Sequence, residues 1–167
     1  AQPFNGNAGS ASPVGNYPIS ATASSNPNYT ITAPDGTLTV TKANLTITAN
    51  NQIATYGSAL VLSQSALTAS GLVNGDTISS VTLSSTGANN TATVAGGPYT
   101  ITPSALSGST RVSTANYNIT YTNASTGLTV NKATLTYVAT PTTSVYGSTP
   151  SVNAGTVTGF VNNETSS

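Results

Sequence analysis

The sequence predicts an all-β chain made of tandem antiparallel β-sandwich repeats. Three observations lead there. Bulky apolar residues alternate with Thr through stretch after stretch, the chain resembles itself at a spacing near 90 positions, and Gly, Pro, Asn and Asp punctuate the alternating stretches.

The self-similarity sets the organisation. KANLTITA from Lys42 returns from Lys132 as KATLTYVA, and Tyr56-Gly57-Ser58 returns as Tyr146-Gly147-Ser148, both 90 positions on. GLVNGDT from Gly71 returns as GFVNNET from Gly159, 88 positions on. Asn28-Tyr29 reappears as Asn116-Tyr117, and LTV from Leu38 reappears from Leu128. These anchors frame one complete repeat at 42–131, the C-terminal part of a preceding repeat at 1–41, and the N-terminal part of a following one at 132–167. Pieces of about 40 residues sit at the limit of what a lone domain can stabilise by burial. The expected partners are therefore neighbouring copies of the same repeat, joined in one longer chain or by strand exchange.

The strands follow in order. Tyr29, Ile31, Leu38 and Val40 alternate with Thr around Pro34-Asp35-Gly36, which predicts a hairpin; Tyr117, Ile119, Tyr121, Leu128 and Val130 repeat the pattern around NASTG. Within the central repeat the expected strands are 45–49, about 60–69, 78–84, 91–94, 99–102, 116–122 and 127–130. Such a succession of short strands implies an immunoglobulin-like sandwich. A β-helix needs a much shorter period, and a membrane barrel needs longer strands with a lipid-facing band. The apolar positions change parity between Leu38, Val40 and Leu45, Ile47, so the inward face flips across Thr41-Lys42-Ala43-Asn44; Lys132 marks the equivalent junction. A connection this short, without Gly or Pro, predicts a stiff rod.

Composition removes several function classes. Only 4% of residues are charged and the formal net charge is zero, with Lys42, Arg111 and Lys132 far apart, so no cationic patch is expected for nucleic acid or an anionic membrane. There is no His and no Cys, and the side-chain acids are Asp35, Asp76 and Glu164. A base for hydrolysis and a set of metal ligands are both missing, so no catalytic role, cofactor or metal is expected, calcium included. An isopeptide bond from Lys42 or Lys132 would need a buried acid beside it; the simpler expectation for both is a solvated junction residue. No apolar run reaches transmembrane length and no leader is visible. The out-of-frame repeats make the sequence read as starting inside a longer chain. Low charge also removes the repulsion that protects strand edges, which favours filament formation.

A few residues stand out as candidates. Tyr17 in GNYPI and Tyr99 in GPYTI occupy places where a sandwich puts a tyrosine corner, its hydroxyl bonded to nearby backbone. Tyr121 and Tyr137 have no Tyr counterpart in the paired repeat and are the aromatics expected to meet a glycan, if one binds. Among the Asn-x-Ser/Thr triplets, Asn123 falls in an expected hairpin loop and suits glycosylation, whereas Asn44 lies in a tight junction. Asp76 and Glu164 follow Asn-Gly and Asn-Asn and read as turn-capping acids.

Taken together, KANLTITA, ATYG from Ala54, GLVNGDT, GGPYTITPSA from Gly96, ANYNITY from Ala115 and GLTVNKA from Gly127 resemble the bacterial Ig-like repeats called MBG domains, along the whole chain. One departure is ATYGSALVLSQS, where that family tends to place Asn-Pro soon after Tyr-Gly. The resemblance implies an extended stalk in a large secreted or cell-surface adhesin-like protein, with no shared catalytic site. The expected role is thus a structural repeat of a bacterial extracellular surface or biofilm-matrix protein, spacing adhesive parts or self-assembling. The other expectation is a carbohydrate- or receptor-binding module facing a glycan or host surface.

Overall fold

The computed structural model describes residues 5–6, 9, 11–20, 25, 27–107 and 112–166. Arg111 lies outside them. Regular structure among these residues is almost entirely β, interrupted by single 3-10 turns at Gln64–Ala66 and Thr86–Ala88. The strands are β1 (Asn5–Gly6), β2 (Gly15–Ser20), β3 (Gly36–Val40), β4 (Ala43–Ala49), β5 (Gln52–Thr55), β6 (Leu67–Ser70), β7 (Ser80–Ser84), β8 (Tyr99–Ser107), β9 (Tyr117–Thr122), β10 (Ala124–Asn131), β11 (Thr136–Val138) and β12 (Thr156–Thr158). They form antiparallel and mixed sheets of the kind that build a β-sandwich, as the alternation predicts.

Chain contacts separate two compact units that interleave along the sequence and do not coincide with the sequence repeats. The first comprises Ala1–Thr48, Thr68–Thr82 and Ser104–Thr122. It holds the sheets β1-β2-β3 and β6-β4-β9. Strand β4 is the local pattern at its clearest: Leu45 and Ile47 are fully buried, while Asn44 before them and Thr46 between them are exposed. Burying two such side chains stabilises the unit by about 3–6 kcal/mol. Val81, Val112 and Tyr117 are also buried in this unit.

The second unit comprises Ala49–Leu67, Leu83–Pro103 and Asn123–Ser167. Its larger sheet has the order β5-β10-β8-β7, with β7 and β8 running on into the first unit, and β11 pairs with β12. The core gathers Ala49, Ala54, Ala92, Ile101, Leu128 and Val130, with Tyr56, Leu60, Leu62, Leu83 and Tyr99 packed around it. Ile101 and Leu128 come from neighbouring strands β8 and β10, where the register shifts between Ala124 and Leu128.

Several strand expectations are corrected. Tyr29 and Ile31 are exposed and residues 30–35 carry no strand; β3 pairs instead with β2, placing Leu38 opposite Tyr17. The second expected hairpin is likewise not one. Only Asn123 separates β9 from β10, too short a link for a hairpin turn, and the two strands join different sheets: β9 runs parallel to β4, and β10 runs parallel to β5. Parallel pairing joins strands distant in sequence, which a reading of adjacent elements does not reach.

Two further stretches alternate without forming ladders. Over 60–66, Leu60 and Leu62 pack on the core and Val61 is exposed, but the backbone passes into the 3-10 turn before β6 begins. At 91–94 the side chain of Asn89 accepts bonds from both Thr91 N (2.9 Å) and Thr91 Oγ1 (2.8 Å). This local Asx bonding captures the backbone in turns, and 52–55 supplies a strand instead.

Candidate functional site

A network of side-chain contacts lies in the second unit, around the first Tyr-Gly-Ser triplet. Strand β5 ends at Thr55, and Ser58 N donates to Thr55 O at 3.0 Å, closing a four-residue turn. Gly57, third in that turn, has φ +88°, a conformation that favours glycine. Two more backbone bonds pin the turn: Tyr56 N to Asn131 O (2.9 Å) and Gly57 N to Asn90 O (3.1 Å).

A second turn closes on it. Asn162 and Asn163 have φ of 54° and 62°, and Glu164 N donates to Val161 O at 3.0 Å. Asn tolerates this left-handed region better than most side chains, which explains its use at both central positions. Three contacts join the turns. Tyr56 Oη donates to Glu164 Oε1 at 2.5 Å. Asn162 Nδ2 donates to Asn90 O at 2.9 Å, and Asn90 Nδ2 returns a bond to Asn162 Oδ1 at 3.2 Å. Val161 lies against Gly57 so closely that a Cβ there would fall 2.5 Å from the valine Cβ. Glycine at 57 therefore serves both the turn and the contact. Beside this clamp is a cavity of about 250 Å³ lined by Tyr56, Val94, Lys132, Leu135, Phe160 and Glu164.

The first unit carries the counterpart of the asparagine turn. Asn74 and Gly75 have φ of 56° and 70°, matching Asn162 and Asn163, and Asp76 N donates to Val73 O at 2.9 Å. Both loops enter the same way. Gly71 and Gly159 have φ of +100° and +102°, and a Cβ on either would collide with a backbone carbonyl, that of Asn44 or Thr134. Here the acid takes a different partner. Tyr117 Oη donates to Asp76 Oδ2 at 2.7 Å and accepts from Val73 N at 3.2 Å, while Asp76 Oδ1 is buried without a hydrogen-bond partner. Burial raises the Tyr117 hydroxyl above its ordinary pKa; the Val73 backbone bond opposes this and Asp76 adds to it. A cavity of about 470 Å³ adjoins, lined by Val14, Val40, Val73, Asp76, Asn116 and Tyr117 among others.

The residues singled out in the sequence are placed as follows. Tyr17 Oη donates to Pro13 O at 2.7 Å, and Tyr99 Oη donates to Thr93 O at 2.8 Å. Gly87 and Gly96 make room for Tyr99, since a Cβ on either would lie 2.5 Å from its ring or hydroxyl. Lys42 and Lys132 are exposed. Tyr121 is half-buried and its hydroxyl accepts from Leu106 N at 2.9 Å, whereas Tyr137 is exposed. Asn123 is exposed at the corner between β9 and β10. Asn44 Oδ1 accepts from Asn118 Nδ2 at 3.3 Å. Among the described residues, no three His, Cys, Asp or Glu side chains gather as metal ligands, and no helix is long and apolar enough to cross a membrane.

The arrangement holds backbone and side chains together through neutral amides, phenols and carboxylates. Tyr-Gly turns are its centre, and that feature coincides with the comparison that matches. The chain is similar to the MBG domain of YGX type over residues 3–39 and 45–129. It belongs to that family. MBG domains are structural, repeat-type domains and are not known as enzymes. Tyr56-Gly57-Ser58, a triplet of the Tyr-Gly-x form, lies within the matched range. No curated protein and no solved structure matches the chain.

Reading single residues did not reveal this site. Tyr56, Gly57, Tyr117, Val161 and Glu164 carry no catalytic signature, and the only signal was joint recurrence. Tyr-Gly-Ser and the Val-Asn-acid loop each occur twice, at spacings of 90 and 88.

Proposed function

We propose that this MBG chain is a structural segment of a bacterial extracellular surface or matrix protein. Its repeats, bounded near Lys42 and Lys132, would be clamped end to end into a stiff spacer for adhesive parts. The observation that supports this is the clamp itself. Tyr56, Gly57 and Asn90 belong to the sequence repeat at 42–131, while Val161, Asn162 and Glu164 belong to the stretch at 132–167. Three separated contacts restrain rotation about a short junction far better than one, and a restrained junction is what a spacer needs. A surface sparse in charge and rich in Thr, Ser and Asn suits close packing of neighbouring molecules.

Electron microscopy of the native protein containing this chain tests the reading. Thin, straight rods with a constant axial repeat are expected. Particles that bend freely between domains would refute the clamped-spacer function.

A further inference from the structure

A pull on both ends of the chain enters the stretch 42–131 at Lys42 and leaves it at Lys132, whatever the chain carries beyond them. The strands that receive it are β4, which starts at Ala43, and β10, which ends at Asn131. How a ladder resists depends on the direction of the pull. Strands drawn apart sideways from one end lose their hydrogen bonds one at a time, whereas strands drawn past each other along their length must lose the whole ladder together. In a parallel pair the two N-terminal ends lie side by side, so tension on the N-terminal end of one strand and the C-terminal end of the other draws the pair lengthwise.

Both ladders that join the start of this stretch to its end are parallel, and each lies within one compact unit. In the first unit β4 runs beside β9 from Ala43 opposite Tyr117 to Thr48 opposite Thr122, and Ala43 N donates to Asn116 O at 3.0 Å. In the second unit β5 runs beside β10 from Gln52 opposite Leu128 to Thr55 opposite Asn131, and Tyr56 N donates to Asn131 O at 2.9 Å. Tension from Lys42 reaches β4, and through residues 50–51 β5, by their N-terminal ends. Tension from Lys132 reaches β10, and through Asn123 β9, by their C-terminal ends. Both ladders are therefore strained in shear. The receiving strands are also interior ones: β4 lies between β6 and β9, and β10 between β5 and β8, so each is held on two sides. Leu45 and Ile47 on β4 and Leu128 and Val130 on β10 are buried, and a hydrogen bond beside a dry core is stronger than one in water. Tyrosine hydroxyls fix β9 further, Tyr117 Oη donating to Asp76 Oδ2 at 2.7 Å and Tyr121 Oη accepting from Leu106 N at 2.9 Å.

We infer that the stretch 42–131 is built to withstand tension along the chain, with the parallel ladders β4–β9 and β5–β10 as the elements that must yield before it unfolds. This is the strain a spacer meets when its two ends are held by different bodies. The inference concerns force within one repeat and goes beyond the clamp between repeats: junctions that bend freely would refute the clamped spacer and leave the shear ladders standing.

Single-molecule pulling on the whole chain tests it. The sequence contains no Cys, so a pair of introduced cysteines carrying maleimide-linked handles defines where force is applied. Lys42→Cys with Lys132→Cys strains both ladders in shear. Thr55→Cys with Asn131→Cys draws apart the neighbouring C-terminal ends of β5 and β10, which peels that ladder bond by bond. All four positions are exposed, so the two double variants keep the stability of the parent fold and differ in the direction of the pull. The first pair is expected to unfold at a force several-fold above the second. Adding Ala43→Pro removes the donor to Asn116 O at the first residue of a strand, where proline is accepted, and is expected to lower the first force while leaving the second unchanged. Equal forces for the two cysteine pairs overturn the inference, and so does a first force that Ala43→Pro leaves unmoved.

Discussion

Replacing Gly57 and Gly147 by alanine, one at a time, gives a matched experiment on the clamp. Both glycines are second in the same triplet, with φ of +88° and +87°. A side chain in this left-handed region costs about 1–2 kcal/mol at either position. Only at 57 does the new Cβ meet anything: it lies 2.5, 2.6 and 2.7 Å from the three side-chain carbons of Val161. Forcing a methyl into a packed contact adds about 1–3 kcal/mol or expels the neighbour. Gly57→Ala should therefore destabilise the chain by about 1–3 kcal/mol more than Gly147→Ala does. Urea unfolding at concentrations low enough to keep chains apart measures the difference, and the Val161 methyl resonances should shift in Gly57→Ala only. Equal losses for the two variants, or unmoved Val161 methyls, would refute the claim that Val161 rests on Gly57.

Other outcomes follow from the same contacts. Tyr117→Phe removes the donor to Asp76 Oδ2 and the acceptor of Val73 N, and should cost about 1–3 kcal/mol in urea unfolding. The raised pKa of Tyr117 sets an alkaline limit. An unfolded tyrosine ionises near its ordinary value of 10.0 and the folded one only above it, so this stabilisation is whole below that pH and fades as pH climbs through the folded pKa. A pH series of unfolding midpoints should show the loss in wild type and a smaller one in Tyr117→Phe. Ile47 and Tyr137 are counterparts 90 positions apart, the first fully buried and the second 76% exposed. Ile47→Ala should cost about 2–5 kcal/mol, and Tyr137→Ala should stay within about 0.5 kcal/mol of wild type in thermal or urea unfolding.

What the sequence by itself determined is local. Alternation of Leu45 and Ile47 with Thr was enough to read β4, because side chains of a strand point to opposite faces and one face must be buried. Recurrence of Tyr-Gly-Ser and of Val-Asn followed by an acid foretold equal turns, because backbone angles at Gly and Asn follow short-range sterics; the matching φ values of Gly57 with Gly147 and Asn74 with Asn162 are the result. Membership of the MBG family was legible for the same reason, in short motifs kept in order. Tertiary structure alone decided pairing. The step from β9 to β10 looks like a hairpin in sequence, yet each strand finds its neighbours far along the chain, since ladder partners are chosen by burial of whole faces and not by adjacency. It also decided which copy of a motif is used. Tyr56 and Tyr146 sit in identical triplets, but only one meets a loop that buries its glycine and accepts its hydroxyl, a distinction that arises from what the folded chain brings beside them.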